Sequence, residues 1–416
     1  MSFFRSLFEA KVADASALTY GALGLGLQSK TGLSVNEITA LRVSAVYACC
    51  RVLAEDIGKL PLRVMQEQRN GSKRVLPDHP LYPRLYRRPN EWQTSMEWRM
   101  TMMLHALLCR AGYSLINRGA NGEVIELIPL MPHAVVPRQL ADWTLVYDVI
   151  DGQGGQVTLA RDQVHVLHGL SWNGFSALNL IVQGTETIGL AMAAEQTQAK
   201  MHGNGAKPGG VLSTSAVLTQ PQIDRLKEQF SSNYSGVDNA FKTLLLDNGL
   251  KFEPWAMTGV DGQHLETRKF QTEEICRLFR VFPQMIGASS ATPTYASAES
   301  FFGAHVGHSL QPWIALWEQA ILRDLLTEDE VAQGIEAKFD MDALLRADAA
   351  QRATFYESAI SRAGWMSRNE ARVKEGLNPL PGLDVILPPM GSTSTAPAGP
   401  PKPGPGAPPV PPAPKP

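Results

Sequence analysis

A helical pattern runs from Thr185 to His202 and then meets Gly203, Gly205, Pro208, Gly209 and Gly210. Glycine frees the backbone and proline removes a hydrogen-bond donor, so a cluster of both cannot continue a helix. A second helical pattern starts near Asp261 and carries Leu265, Ile275, Leu278, Phe279 and Phe282 before Gly287. Between them lie strand-like runs at Val211–Ser213, near Thr243–Leu246 and at Lys251–Trp255, a helical stretch at Gln220–Phe230, and a tight-turn signal at Asn248-Gly249. Any fold of this chain must therefore place two helices on either side of a small α+β insert.

The flanks are mixed as well. Ser34 and Glu37 fit a capping box ahead of an apolar helical face at Leu41, Val46, Cys49, Leu53 and Ile57, which Gly58 and Pro61 end. Leu60–Met65 reads as a strand, with a turn around Asn70-Gly71, and a helix is expected from Ser95 to Cys109. Tyr113–His168 alternates short β-type runs with turns. A long helical pattern covers Glu299–Leu326, where Gly303, Gly307 and Pro312 favour a bend. Helical character returns from Asp342 to Glu375, and the Pro-rich segment Gly399–Pro416 suits an extended, disordered tail.

With 416 residues the chain exceeds one ordinary core. Its 38 Lys and Arg against 40 Asp and Glu give a net charge of -2, which argues against a tight nucleic-acid binder. Cys49, Cys50, Cys109 and Cys276 have no C-x-x-C spacing, so neither zinc nor a disulfide framework is expected. No run reaches the ~18 apolar residues of a membrane span.

Several segments, in order, resemble the portal family of tailed phages and gene transfer agents. They are SAVYACCRVLAEDIGKLPLRV (Ser44–Val64), HPLYPRLYRRPNEW (His79–Trp92), GYSLINR with ELIPLMPHAV (Glu126–Val135), MHGNGAKPGGVLS (Met201–Ser213) and FPQMIG (Phe282–Gly287). Ala111-Gly112-Tyr113-Ser114 departs from the family's Gly-Asn-Ala-Tyr, and Trp172-Asn173-Gly174-Phe175-Ser176 is a shortened form of its glycine-rich turn.

The resemblance implies an α+β, multi-domain portal fold of wing, stem, clip and crown, assembled as a ring with a central channel. In this numbering it gives a flexible arm at 1–33, a wing at 34–184, a first stem helix at 185–206, a clip at 207–260, and a second stem helix at 261–287. A tunnel loop follows at 288–298, then a long kinked helix returning to the wing at 299–341, a crown at 342–390 and the tail at 391–416. The implied partners are further copies of the chain in a dodecameric ring, the major capsid protein, the terminase large subunit, the head-tail adaptor and sequence-independent double-stranded DNA. The implied location is the portal vertex of the virion, after assembly in the host bacterial cytoplasm.

A DNA conduit has a physical requirement opposite to that of a repressor, because each phosphate held by Lys or Arg adds affinity and would arrest a moving duplex. The uncharged loop containing Ser289, Ser290, Thr292, Pro293, Thr294, Tyr295 and Ser297 suits the narrowest part of a channel; composition alone favours an ordinary connector, and the position implied by the family resemblance reverses that. Arg268, Lys269, Arg277 and Arg280, interleaved with Glu266, Glu273 and Glu274, are the stem charge candidates: they fit a solvated or salt-bridged helix face, and the functional alternative is that Arg268 and Lys269 face the channel. Lys207, Arg225, Lys227, Lys242 and Lys251 are candidates for terminase or adaptor docking, or a solvated surface.

Enzyme chemistry finds no support. Gly203-Asn204-Gly205-Ala206-Lys207-Pro208 places Pro where a phosphate-binding loop needs Ser or Thr for magnesium. Gly169-Leu170-Ser171-Trp172-Asn173 lacks the second glycine of a nucleophile elbow. His305 and His308 carry no H-E-x-x-H context, and Asp340, Asp342 and Asp348 resemble a nuclease cluster only by composition. No catalytic residue, metal or cofactor is expected. The competing classes are a DNA-processing ATPase or nuclease of the packaging apparatus, and a non-portal adaptor ring.

Overall fold

The computed structural model describes residues 27–69, 71–150, 155–203, 210–213, 219–225, 228, 251–254, 260–288, 301–341, 349–362, 364–375 and 377–386. The chain divides into two compact units, Met1–Asp340 and Met341–Pro416.

The first unit opens with the pair Leu27–Gln28 and Ser34–Val35, joined through Gly32 at φ +80°. Because Ser34 is held in that pair, it cannot cap; the cap falls on Asn36, whose side chain accepts from Thr39 N while Thr39 Oγ1 accepts from Asn36 N. The short helix Glu37–Leu41 follows, then a break, then α1, Ser44–Lys59. The Ser34–Glu37 capping box thus gives way to one at Asn36 and Thr39, and residues 27–33 form structure rather than an arm. Lys30 N donates to both Glu186 carboxylate oxygens, at 3.3 and 3.1 Å.

Helix α1 buries Val46, Cys49, Leu53 and Ile57 on one face. It leads into β1, Leu62–Glu67, and β2, Lys73–Val75, joined through Gly71 at φ +79°. Helix α2, Ser95–Leu108, starts at Thr94 in a capping box with Glu97. Next come β3, Ala111–Arg118, and β4, Val124–Leu130, then a meander of β5, Val135–Gln139, β6, Leu145–Ile150, and β7, Gln156–Ala160, and finally β8, Val164–His168.

Sheet β8-β3-β4 and sheet β5-β6-β7 share one apolar cluster that includes Tyr113, Leu115, Val135, Tyr147, Val149, Leu159 and Val166. Tyr113 and Tyr147 meet edge to face with centroids 5.9 Å apart. Strand β3 is buried on both faces from Ala111 to Ile116. Tyr113 and Leu115 face the meander, whereas Gly112 and Ser114 face α2.

Helix α3, Thr185–Gly203, precedes a two-stranded antiparallel pair of β9, Gly210–Ser213, and β10, Lys251–Pro254. Helix α4, Val260–Phe279, follows. The bend expected near Gly303, Gly307 and Pro312 is a π-helical turn, His305–Leu310, directly before α5, Gln311–Asp324. A π turn holds an extra residue per turn and re-aims the side chains beyond it. The chain then returns to its first sheet: β11, Ile335–Phe339, pairs antiparallel with β1. Contacts made over long sequence separation close the core. Trp317 on α5 lies against Trp98 on α2 at 5.2 Å and against Phe339 on β11 at 6.4 Å.

In the second unit, helix α6, Ala349–Glu357, runs into a π turn, Ser358–Arg362, and α7, Arg368–Lys374, is capped by Ser367 with Glu370. Ala359, Met366 and Ala371 form its small core. Asn369 fixes the following segment by donating to Leu380 O and accepting from Leu380 N, both at 2.8 Å. The tail and the acidic residues Asp342 and Asp348 lie outside the described residues.

Candidate functional site

The element order around the insert is helix α3, the β9/β10 pair, helix α4, with Gly210 opposite Pro254 and Ser213 opposite Lys251. This pairing places the strand that follows α3 beside the strand that precedes α4. Helices α3 and α4 pack on each other. Near the start of α3, Gly184, Thr185 and Ile188 are buried, and Gly189 packs against Ser29, between the strands of the first pair. A Cβ at Gly184 would lie 2.4 Å from Leu278 Cδ2, so glycine permits the close approach.

Helix α4 buries Gln271, Ile275, Cys276 and Phe279 and exposes residues 266–270, Glu273, Arg277 and Arg280. The four basic candidates on it fare differently. Arg268 donates to Gln198 Oε1 of α3 at 2.7 Å and so crosslinks the helix pair. Arg277 pairs with Glu274 and, at 3.9 Å, with Glu273, while its guanidinium lies 5.9 Å from the Phe270 ring centroid. Lys269 and Arg280 are exposed and have no ion-pair partner among the described residues. Arg268, Lys269 and Arg280 thus keep an unneutralised charge, since the Gln198 amide that Arg268 bonds is neutral, whereas Arg277 is ion-paired.

Arg280 also ends the helix in an unusual way. It takes φ +56°, Val281 N donates to Cys276 O at 2.9 Å, and Ser309 Oγ donates to Arg280 O at 2.5 Å. This is a Schellman-type stop with arginine where glycine is usual, and a non-glycine residue there costs roughly 1 kcal/mol. The stop opens onto a groove of about 330 Å³ whose lining includes Cys276, Arg280, Phe282, Pro283 and His308.

Two charge clusters, neither evident from residue spacing, tie elements distant in the chain together within this unit. In the first, Asp56 on α1 is bonded to His305 Nε2 at 2.9 Å and to Lys59 Nζ at 2.5 Å. Burial would raise the Asp56 carboxyl, but the bonds from His305 and Lys59 outweigh it and leave the group below its ordinary value. In the second, the fully buried Asp324 side chain binds His165 Nδ1 at 3.1 Å, Val166 N at 3.0 Å, Arg323 Nε at 2.7 Å and the Arg161 guanidinium. Burial again pushes upward, and again the bonds to His165 and Arg323 and the nearby Arg161 charge win, holding this carboxyl far below the usual range. His165 and His305 are therefore partners of aspartates within the framework.

Arg225 and Lys251 are exposed, whereas Lys207, Lys227 and Lys242 lie outside the described residues. So do Ser289, Ser290, Thr292, Pro293, Thr294, Tyr295 and Ser297. Asp340 sits near Arg63, at 3.4 Å. No helix among the described residues is long and apolar enough to cross a membrane.

A family model described as phage portal protein matches residues 44–376. The chain belongs to the phage portal protein family. The portal protein of Enterobacteria phage HK97 is 30% identical over 357 residues, which cover 85% of this chain and 83% of that one. The probable portal protein of Streptomyces phage phiC31 is 31% identical over 370 residues, with coverages of 86% and 79%.

The α+β portal fold is shared with solved structures. A chain in the neck of a native gene transfer agent particle, computed with C12 symmetry, gives a TM-score of 0.56 at 24% identity, covering 83% of this chain and 94% of that one. An HK97 family phage portal protein from Corynebacterium diphtheriae gives 0.55 at 18% identity, with coverages of 78% and 98%. In this portal-family chain, the helix-pair-helix order of α3, β9/β10 and α4 falls inside the matched residues.

Proposed function

We propose that this chain is the portal subunit of a tailed phage or gene transfer agent: many copies close into a ring that passes double-stranded DNA into and out of a capsid. The observation that carries the reading is the family match across residues 44–376, supported by the two-helix frame around a paired insert. A homo-oligomeric ring accords with the C12 symmetry of the related neck. Within that ring we assign α3 and α4 to the stem, the β9/β10 insert to the clip, residues 288–298 to the tunnel loop, residues 34–184 to the wing and 342–390 to the crown. The virion vertex is the site of action, with assembly in the host cytoplasm.

The physical logic is weak adhesion. A near-neutral chain with a hydroxyl-rich, uncharged loop at the constriction keeps the number of phosphate contacts small, so the duplex slides rather than stalls. Lys269 on α4 and Arg280 at its end are cations without a carboxylate partner among the described residues, and Arg268 keeps its charge beside the neutral Gln198 amide, whereas Arg277 is ion-paired. The exposed clip residues Arg225 and Lys251, with Lys207, Lys227 and Lys242, are assigned to docking of the terminase large subunit and later the head-tail adaptor. The wing meets the major capsid protein. Force generation lies with another machine, since the chain carries no phosphate-binding loop.

Electron microscopy of the purified protein viewed down its axis tests the reading, alongside ATPase and nuclease assays. A closed ring with a hole wide enough for duplex is expected, without turnover. A monomer that hydrolyses nucleotide or cuts DNA would overturn the portal reading in favour of a packaging enzyme.

A further inference from the structure

A second cluster of reactive side chains lies far from α4 in sequence and is used by nothing above. Glu37 opens the short helix capped by Asn36, Cys109 is the C-cap of α2, and His133 lies in the 3-10 turn Pro132–Ala134. One donor atom from each falls within 4.8 Å of the other two, and Cys109 Sγ is 3.7 Å from His133 Nε2. A tetrahedral zinc ion with bonds of about 2.3 Å to sulfur and about 2.0 Å to nitrogen would set that edge at about 3.5 Å. The Cys109–His133 edge, at 3.7 Å, is close to that length.

The backbone holds all three in place. Asn36 and Thr39 lock the start of the Glu37 helix with reciprocal bonds of 2.8 Å. Cys109 N donates to His105 O at 2.9 Å, and the chain reverses at once through Arg110 at φ +94°. Pro132 fixes the turn that carries His133.

A further observation points the same way. His105, one helical turn before Cys109, has its Nδ1 buried without a hydrogen-bond partner. A buried polar atom left unmatched is unusual in a settled core. A carboxylate, a thiol and an imidazole from three separate segments thus gather at one place.

We propose that Glu37, Cys109 and His133 bind one divalent transition-metal ion of the zinc class, which staples the N-terminal helix to the end of α2 and to the turn before β5. Thiolate with imidazole selects zinc-type ions over magnesium or calcium, which prefer all-oxygen sites. Binding exchanges the thiol proton for a metal–sulfur bond, and that proton leaves to solvent. His133 is exposed, so the ion enters from water, and water takes the remaining coordination position.

The test uses the full-length protein stripped with chelator and titrated with Co2+ as a spectroscopic probe, then with Zn2+. One Co2+ per chain is expected, with a sulfur-to-cobalt charge-transfer band that Zn2+ abolishes. Cys109→Ser should lose the band, while Cys276→Ser should keep it. His133→Ala, at an exposed position that leaves the fold intact, should weaken Zn2+ binding by about tenfold or more. Zn2+ should also raise the unfolding midpoint of the wild type and not of His133→Ala. Absence of a stoichiometric charge-transfer band, or Zn2+ affinity unchanged in His133→Ala, overturns the proposal even if Cys109→Ser fails to fold.

Discussion

Asp324 and His165 stand 159 residues apart in the sequence and meet at 3.1 Å between Oδ2 and Nδ1, both side chains fully buried. The pair joins the last turn of α5 to the middle of β8, and Arg323 Nη2 reinforces it by donating to Val166 O at 3.0 Å. The same carboxylate receives Val166 N, so one side chain fixes both the strand and the helix that covers it.

Replacing Asp324 with Asn should therefore cost about 1–3 kcal/mol, because the buried side chain loses the charge that holds His165, Arg161 and Arg323, although the two arginines are partly solvated. Chemical denaturation of the two proteins checks this, and a loss below 1 kcal/mol would contradict it.

The same group makes the fold acid-sensitive. Its folded pKa lies below the unfolded value, so its contribution is present above an unfolded pKa of about 4 and is lost as pH falls toward the folded value. Wild-type stability should decline as pH drops below about 4, with a shallower decline in Asp324→Asn. Parallel slopes for the two proteins, measured by unfolding across that range, would remove Asp324 as the cause.

Gly112 on β3 faces the backbone of α2. A Cβ there would sit 2.6 Å from Met102 O, and backbone cannot swing aside as a flexible side chain can. Gly112→Ala should destabilise by about 1–3 kcal/mol, read as a lower calorimetric midpoint. Gly122→Ala, at a turn with open space but φ +80°, separates backbone strain from this collision.

On α4, the charge reversals Lys269→Glu and Arg280→Glu should change DNA retention in assembled particles while rings still form. Arg277→Ala should change little, since its exposed pairs with Glu273 and Glu274 are worth about 0–1 kcal/mol. Packaged DNA length measured on particles decides the matter: an unchanged length in both reversals removes these residues from the channel.

Trp317→Ala should cost about 3–5 kcal/mol, as it empties the junction where α2, α5 and β11 converge. Loss of near-ultraviolet circular dichroism at lower denaturant concentration is the expected signal.

Local chemistry already determined much of this protein. The Gly and Pro cluster after His202 ended α3, the apolar spacing from Val46 to Ile57 made α1, and Gly307 with Pro312 marked where the long helix distorts. The order of motifs carried the family, and with it the α+β fold. What residue spacing could not supply were pairings whose members lie far apart in the chain. Ser34 had every property of a cap, yet strand pairing with Leu27–Gln28 claimed it and the cap moved to Asn36. His165 beside Asp324, His305 beside Asp56, and Glu37 with Cys109 and His133 exist only because packing carries distant segments together. Secondary structure follows from interactions over a few residues, which a sequence displays directly. Buried charge pairs and clustered metal-type donors depend on which elements end up adjacent, and only the closed tertiary structure decides that.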